Sequence, residues 1–235
     1  MSANAEVLRA SGTIGTSTRE TALPRIKAAC ATQPWNPEDF AREQIRGLVR
    51  RVFLSNSSRP VKQVVFSATE SHLEIASICD SVARALAEET RAHVALVDTG
   101  QGLVETRYPH APSRGTAIKS SSDQIATNLW RVAKSGIEEC SEESGAGLQW
   151  LPCLKELRKE FEYVVLQAPA AGISSEAALL GQLTDGIILV LGARRTRRAT
   201  VLKIKETLEA AQCRILGTVL MERTFPIPER IYRRL

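Results

Sequence analysis

Five short apolar runs, separated by stretches of helical pattern, constrain the fold of this chain more than any other feature. They read VKQVVFSA from residue 61, HVALVD from 93, YVVLQAP from 163, GIILVLGA from 186 and RILGTVLM from 214. Runs this short and apolar are typical of strands buried on both faces of a sheet. Their alternation with amphipathic segments predicts a parallel β-sheet with helices on both faces, a three-layer α/β/α domain.

The segment after the first run shows the clearest helical spacing. Ile75, Ile78, Cys79, Val82 and Leu86 recur every three or four residues. Such a stripe predicts a helix that packs one face on the sheet.

Capping residues mark two more helices. Asn36 can cap a helix that has Pro37 in its first turn, and Ser174 or Ser175 can cap the helix after the third strand. Further amphipathic stretches precede the third and fifth strands. Residues 100–150 are rich in Gly, Ser and Thr, and no element is predicted there.

Composition divides the chain into three parts. We predict a flexible arm over residues 1–35, the α/β domain over 36–225 and a basic tail over 226–235. Neither a secretory leader nor an apolar run of membrane-spanning length is recognisable, which favours a cytoplasmic chain. The region 191–235 has eleven Lys or Arg and four Asp or Glu, a net charge of +7, so the total of +5 leaves −2 for the rest.

The carboxyl ends of parallel strands are where such sheets bind ligands. The loops SATESHLE, DTGQG, QAPAAG and GARRTRR meet at that edge. A phosphate-binding loop requires glycines that free backbone N–H groups, a lysine, and a Ser or Thr for magnesium. The first loop has no glycine or lysine, and Glu70 and Glu74 carry negative charge instead. We therefore expect no bound nucleotide cofactor.

A metal centre is not expected either. The five cysteines and three histidines are scattered, and none of them is paired at a spacing typical of metal ligands. The cysteines are interpreted as free thiols of a reducing compartment.

From about residue 37 to its end, the chain resembles the ATPase domain of bacterial protein-tyrosine kinases of exopolysaccharide and capsule synthesis. These belong to the MinD/ParA class of P-loop ATPases. The resemblance is carried by EQIRGLVRRVF, SICDSVARALA and TNLWRVAKSG, and by the long segment LKELRKEFEYVVLQAPAAGISSEAALLGQLTDGIILVLGARRTRRATVLKIKETLEAAQCRILGTVLMERTFPIPERIYRRL. It implies a P-loop NTPase-like fold and Mg-ATP-dependent tyrosine autophosphorylation.

The chain departs from this family at the positions where the family binds phosphate and magnesium. Aligned without gaps, its loop glycines, lysine and following Ser or Thr correspond to His72, Glu74, Ile75 and Ala76, with Ser77 next. Asp98 keeps one of two acids after the second strand, and Gln167 replaces the magnesium-organising Asp after the third. Asp98 could instead cap a turn, Ser77 could be an ordinary helix residue, and Gln167 could hydrogen-bond neighbouring loops.

Other positions bear on contacts rather than catalysis. The resemblance implies a subunit contact through Glu43 and Arg46, where Val49 replaces a second arginine, and therefore association between copies. It also leaves Tyr232 as the remaining phosphorylation candidate, or as an ordinary tyrosine. A further set is interpreted as an anion or partner contact, or as a solvated charge run: Arg194, Arg195, Arg197 and Arg198.

Three functions remain open from the sequence. The favoured one is an inactive relative that binds a membrane polysaccharide co-polymerase or an active tyrosine kinase, at the inner membrane through that partner. An active kinase or ATPase would need the arginine-rich loop to supply the missing cation. Non-specific nucleic-acid binding rests only on the basic C-terminal region, which lacks an interleaved aromatic platform.

Overall fold

The computed structural model describes residues 36–55, 59–99, 118, 122–132 and 150–222. The predicted arm and tail, together with Tyr232, lie outside this part of the chain and stay predictions.

The described elements follow the predicted alternation. In chain order they are α1 (Pro37–Val52), β1 (Gln63–Ala68), α2 (Ala76–Thr90), β2 (Val94–Asp98), β3 (Asp123–Ala126), β4 (Leu129–Val132), α3 (Trp150–Glu160), β5 (Tyr163–Ala168), α4 (Glu176–Leu183), β6 (Gly186–Gly192), α5 (Arg198–Ala210) and β7 (Ile215–Met221). The five apolar runs correspond to β1, β2, β5, β6 and β7, so these strand predictions are confirmed.

The strands form a seven-stranded sheet in the order β3-β4-β2-β5-β1-β6-β7. All pairs are parallel except β3 with β4, which is antiparallel. The sheet is thus mostly parallel, as predicted, and the β3–β4 hairpin adds to it, since no element is predicted over residues 100–150. No residue of β3 is buried, so its four residues have no apolar pattern to reveal them.

Two apolar clusters, one on each face of the sheet, form the core. On one face Val64 and Phe66 of β1 pack with the buried residues of α1 and α2. On the other face Val65 lies in the cluster that includes α3, α4 and α5. Because neighbouring residues of a strand point to opposite faces, one strand can supply both clusters. The predicted stripe of α2 is buried along its whole length, which confirms its orientation.

Local hydrogen bonds confirm the predicted helix starts. The Asn36 side chain accepts the N–H of Glu38 at 3.0 Å. At α4 the hydroxyl of Ser174 accepts the N–H of Glu176 at 3.2 Å, so Ser174 rather than Ser175 provides the side-chain cap. Among the described helices, none is long and apolar enough to cross a bilayer.

A buried carboxylate lies at the amino ends of the central strands, at the opposite end of the sheet from the ligand-binding loops. Asp185, between α4 and β6, accepts the backbone N–H groups of Lys62 and Gln63, each at 2.8 Å. Its other oxygen accepts a hydrogen bond from Arg158 at 3.0 Å. Gln63 donates in turn to the carbonyl of Leu154 at 2.9 Å. Asp185 thus connects the starts of two central strands with α3.

Because the thiol of Cys79 is buried, the free energy of unfolding should change with pH in the alkaline range. Burial, with smaller contributions from the charges of Asp98 and Asp80, raises its pKa well above the ordinary 9.0. Below the ordinary pKa the Cys79 thiol is protonated in the folded and in the unfolded chain, so its contribution to stability is fully present. Above it, the unfolded chain releases a proton that the folded chain retains, so the free energy of unfolding falls as pH rises.

We expect Cys79 to contribute a slope approaching about 1.4 kcal/mol per pH unit above pH 9. The measurement is urea unfolding at a series of alkaline pH values, with Cys79→Ala as the comparison. The variant is less stable overall, but its stability should decline less steeply with pH. Identical slopes in the two proteins would contradict the assignment.

Candidate functional site

A cleft opens where the loops after β1 and β5 leave the sheet in opposite directions. The β1 loop leads to α2 on one face, and the β5 loop leads to α4 on the other. Since β1 and β5 are neighbours, this divergence leaves a crevice at their carboxyl ends. Its volume is about 470 Å³, and its wall includes both loops and the start of α2. The predicted ligand-binding edge is therefore the edge where the cleft lies.

The charges on the described wall of the cleft are all negative. Three carboxylates line it, those of Glu70, Glu74 and Glu176, and no Lys or Arg is among its described lining residues. His72 lies beside Glu70, with its Nε2 3.3 Å from the Glu70 carboxylate. Like unit charges 4 Å apart repel by about 4 kcal/mol at an effective dielectric constant of 20. An anion close to these carboxylates would therefore be repelled.

The loop after β1 uses its backbone donors within the protein. The N–H of Thr69 donates to the carbonyl of Val190 at 3.1 Å, and the N–H of Leu73 donates to the backbone carbonyl of Glu70 at 3.2 Å. Neither donor is available to a phosphate. At the position of the family's lysine, Ile75 is 4% exposed and packs into the core next to α2. The four other predicted loop positions are exposed: His72, Glu74, Ala76 and Ser77.

Direct contacts hold the β1 and β5 loops together. The Ser67 hydroxyl donates to the carbonyl of Pro169 at 2.6 Å, and the N–H of Ala171 donates to the carbonyl of Ala68 at 2.8 Å. A Cβ atom at Gly172 would lie 2.5 Å from the carbonyl oxygen of Thr69, so only glycine permits this approach. Contacts between the two loops therefore fix the floor of the cleft without a bound ligand.

The loop after β6 joins the same network through two threonines. Thr196 Oγ1 accepts the N–H of Gly192 at 3.0 Å and lies 3.4 Å from Thr69 Oγ1. The arginines of this loop, Arg194, Arg195, Arg197 and Arg198, are exposed. None of the four belongs to the wall of the cleft. Arg195 approaches Glu222 instead, at 3.6 Å.

Asp98 is the last residue of β2 and Gln167 is the next-to-last residue of β5, and the two are direct partners in the β2–β5 register. Gln167 lines the cleft, whereas Asp98 does not. The neighbouring Thr99 is buried, and its N–H and hydroxyl both donate to the Gln167 carbonyl, at 3.0 and 2.8 Å. The structure therefore places one of the two predicted acid positions on the cleft. Across the described residues, no group of three or more His, Cys, Asp or Glu could hold a metal ion.

The predicted subunit contact lies elsewhere, on α1. Glu43 and Arg46 are close to each other, with 3.9 Å between the guanidinium and the carboxylate. Val49 is fully buried, so the position of the family's second arginine belongs to the core. The next residue, Arg50, makes two hydrogen bonds of 3.1 and 3.0 Å to Glu89 on α2. This pair, which sequence reasoning missed, joins the two helices.

Sequence reasoning also missed Glu176 and Ile173 on the wall of the cleft. Both follow the third apolar run, and Glu176 is the first residue of α4. The predicted meeting of four loops could have identified them, because the residues after β5 must face those after β1. Ile173 is 73% exposed, so the acidic wall has an apolar residue at its rim.

Part of the chain is similar in sequence to bacterial tyrosine-protein kinases. No protein-family model matches the chain. Tyrosine-protein kinase CpsD of Streptococcus agalactiae serotype III (strain NEM316) is 33% identical over 67 residues, which are 28% of this chain and 29% of the kinase. CpsD of Streptococcus pneumoniae serotype 4 (strain ATCC BAA-334 / TIGR4) is 33% identical over 67 residues, covering 28% and 30%. The match spans less than a third of these curated relatives.

Solved structures extend the likeness in fold. The chimerical protein CapA2B2 matches with a TM-score of 0.62 and 18% identity, covering 80% of this chain and 86% of that one. The BceF tyrosine kinase domain matches at 0.58 and 17%, covering 77% and 76%. MinD of Aquifex aeolicus matches at 0.55 and 13%, covering 73% and 74%. These identities show the fold alone. They confirm the predicted P-loop NTPase-like architecture. The relationship to the tyrosine kinases is supported by the partial sequence match.

Proposed function

We propose that this chain, which is related in sequence and fold to the ATPase domains of bacterial tyrosine kinases, is a catalytically inactive relative that works by binding proteins. One observation carries the proposal. At the position where such folds bind nucleotide, the described wall of the cleft has the carboxylates of Glu70, Glu74 and Glu176 and no cationic side chain.

Phosphoryl transfer depends on positioning and on neutralising charge around the γ-phosphate. A phosphate loop supplies backbone N–H groups and a lysine for this purpose, while acids hold magnesium. Here Ile75 is in the core, Gln167 replaces an acid and the N–H of Thr69 is engaged by Val190. What remains on the wall would repel the substrate, so the described residues offer no path to transfer.

The same contacts suggest how the protein works without nucleotide. A hydrogen bond from the Ser67 hydroxyl to the carbonyl of Pro169, and one between the hydroxyls of Thr69 and Thr196, already hold the three loops in one arrangement. A ligand shifts a conformational equilibrium only through different affinities for the two states. A surface that is organised in advance needs no such ligand, so a partner would recognise the chain whether or not ATP is present.

Because the chain is related to capsule tyrosine kinases, the partner we infer is a membrane polysaccharide co-polymerase or an active tyrosine kinase. Binding there would place the chain at the inner membrane and let it regulate polymerisation or export. Arg194, Arg197 and Arg198 are exposed and form no ion pair with a carboxylate in the described part of the chain, so they offer a cationic surface to an acidic cytoplasmic segment. Guanidinium groups suit this role because they donate in a planar fork to carboxylates.

Calorimetric titration with Mg-ATP and Mg-ADP tests the loss of nucleotide binding. We expect no saturable heat up to about 1 mM nucleotide, which corresponds to less than about 4 kcal/mol of binding free energy. Thermal unfolding gives a second readout, because a ligand present at 100 times its Kd stabilises the fold by about 2.7 kcal/mol. Micromolar binding, or phosphotyrosine formed by the purified chain, would overturn the proposal.

Copurification from the source cells tests the protein-binding role. A membrane polysaccharide protein or a tyrosine kinase should be retained with the wild-type chain, with and without ATP. Reversing Arg194, Arg197 and Arg198 to Glu should abolish that retention, while reversing Arg42, Lys155 and Lys159 should not. A chain that retains neither class of protein would contradict the assigned partner.

A further inference from the structure

Two regions of opposite charge lie side by side at the carboxyl ends of the strands. The first is the wall of the cleft, which has three carboxylates and no Lys or Arg among its described residues. The second is the loop after β6, where Arg194, Arg197 and Arg198 are exposed and form no ion pair with a carboxylate in the described part of the chain. The fold thus places an excess of negative charge next to an excess of positive charge.

Direct contacts show how close these two regions are. Leu73 belongs to the wall of the cleft, and a Cβ atom at Gly192 would lie 3.1 Å from Leu73 Cδ2. The hydroxyl of Thr196, within the arginine-rich loop, is 3.4 Å from the hydroxyl of Thr69, which follows β1. Since β1 and β6 are parallel neighbours, both loops face the same side of the molecule. The arginine-rich loop therefore borders the cleft without forming part of its wall.

Neighbouring patches of opposite charge make a surface that is complementary to itself. A two-fold axis that passes between the two patches places the acidic patch of each copy against the basic patch of the other. The same contact is then made twice, and the assembly closes at two copies. Guanidinium groups suit such a contact because their planar fork matches a carboxylate.

We propose that a second copy of this chain docks on this surface, with its arginine-rich loop against the acidic cleft of the first copy, and reciprocally. Ile173, which is 73% exposed on the wall of the cleft, is covered in this dimer. The surface is distinct from Glu43 and Arg46 on α1, the contact implied by the sequence resemblance. If a partner binds the same arginines, which rests on the proposed function, partner binding and self-association exclude each other.

Sedimentation velocity of the purified chain measures this association. At low salt and about 100 μM protein we expect a dimer. Raising the salt from about 0.05 M to about 0.5 M should raise the dissociation constant about tenfold or more, because salt screens exposed charges. A monomer at low salt, or a dimer that is insensitive to salt, would overturn the proposal.

Charge reversal tests whether the two patches meet. Arg197→Glu and Glu74→Arg should each raise the dissociation constant about tenfold or more, because each variant places like charges in both contacts of its dimer. An equal mixture of the two variants should dimerise as the wild type does. The mixed dimer has one contact with the native charges and one contact with both charges reversed. A mixture as weak as either variant alone would contradict the reciprocal contact.

A matched pair of variants provides the control for this experiment. Lys155 on α3 and Glu88 on α2 are exposed and lie outside both charged regions. Lys155→Glu and Glu88→Arg should therefore dimerise as the wild type does, separately and mixed. Weakening equal to that of Arg197→Glu would mean that net charge, and not these two patches, controls association. These measurements involve neither nucleotide nor a partner protein, so their outcome is independent of the proposed function.

Discussion

Substituting Gly186 by alanine should lower the free energy of unfolding by about 3 to 5 kcal/mol. Gly186 begins β6 with φ +153°, a backbone conformation that residues with a side chain rarely adopt. An added Cβ would lie 2.5 Å from the carbonyl oxygen of Arg214 and 2.7 Å from Leu216 Cγ. That carbonyl accepts the N–H of Ile187, so the new methyl group would disturb the start of the β6–β7 ladder.

The matched control for this prediction is Gly217→Ala in the neighbouring strand. No atom of the described residues lies within 4 Å of a Cβ placed at Gly217, so this variant should change stability by less than about 1 kcal/mol. Urea unfolding followed by circular dichroism measures both. If the two variants lose the same free energy, or if Gly186→Ala loses none, the close approach at Arg214 is not what makes glycine necessary.

Replacing Asp185 by alanine should cost about 2 to 4 kcal/mol of stability. The carboxylate is nearly buried and accepts the N–H groups of Lys62 and Gln63 at 2.8 Å. Its loss leaves those donors without their acceptor at the start of β1, and Gln63 is buried, so water cannot fully replace the carboxylate. An unsatisfied buried donor costs more than an exposed hydrogen bond contributes.

A variant of Arg158 distinguishes the ion pair of Asp185 from its hydrogen bonds to the backbone. Its side chain is 49% exposed, so its ion pair with Asp185 is partly screened by solvent. Arg158→Ala should therefore cost less than about 1 kcal/mol, clearly below the loss in Asp185→Ala. Equal losses in the two variants would mean that the ion pair, rather than the backbone hydrogen bonds, is the stabilising contact.

Much of the fold could be predicted because burial leaves a periodic pattern. The strand β1 is buried along its length, and α2 buries Ile78, Cys79, Val82 and Leu86 on one side. Both patterns are local, so a window of about ten to fifteen residues reveals them. The β3–β4 hairpin escaped prediction because β3 is an exposed edge strand and β4 has four residues.

Part of the candidate site could be predicted because the residues concerned are close together in the sequence. The absence of glycine and lysine from residues 69–75 is visible in the sequence, as are Glu70 and Glu74. Glu176 joins them only because β5 lies beside β1 in the sheet, an order that no local pattern encodes. The arginines after β6 were a candidate source of cations, and strand order together with loop direction keeps them off the wall of the cleft.

By itself, the sequence determined five of the seven described strands, which helix faces are apolar and which phosphate-binding residues are missing, because these properties depend on residue type and spacing. Tertiary structure alone decided which distant groups meet. It brought Asp185 to the N–H groups of Lys62 and Gln63, packed Val49 into the core and left β7 at the edge. Such contacts arise from strand order and crossover packing, which depend on the whole chain and not on any short stretch of it.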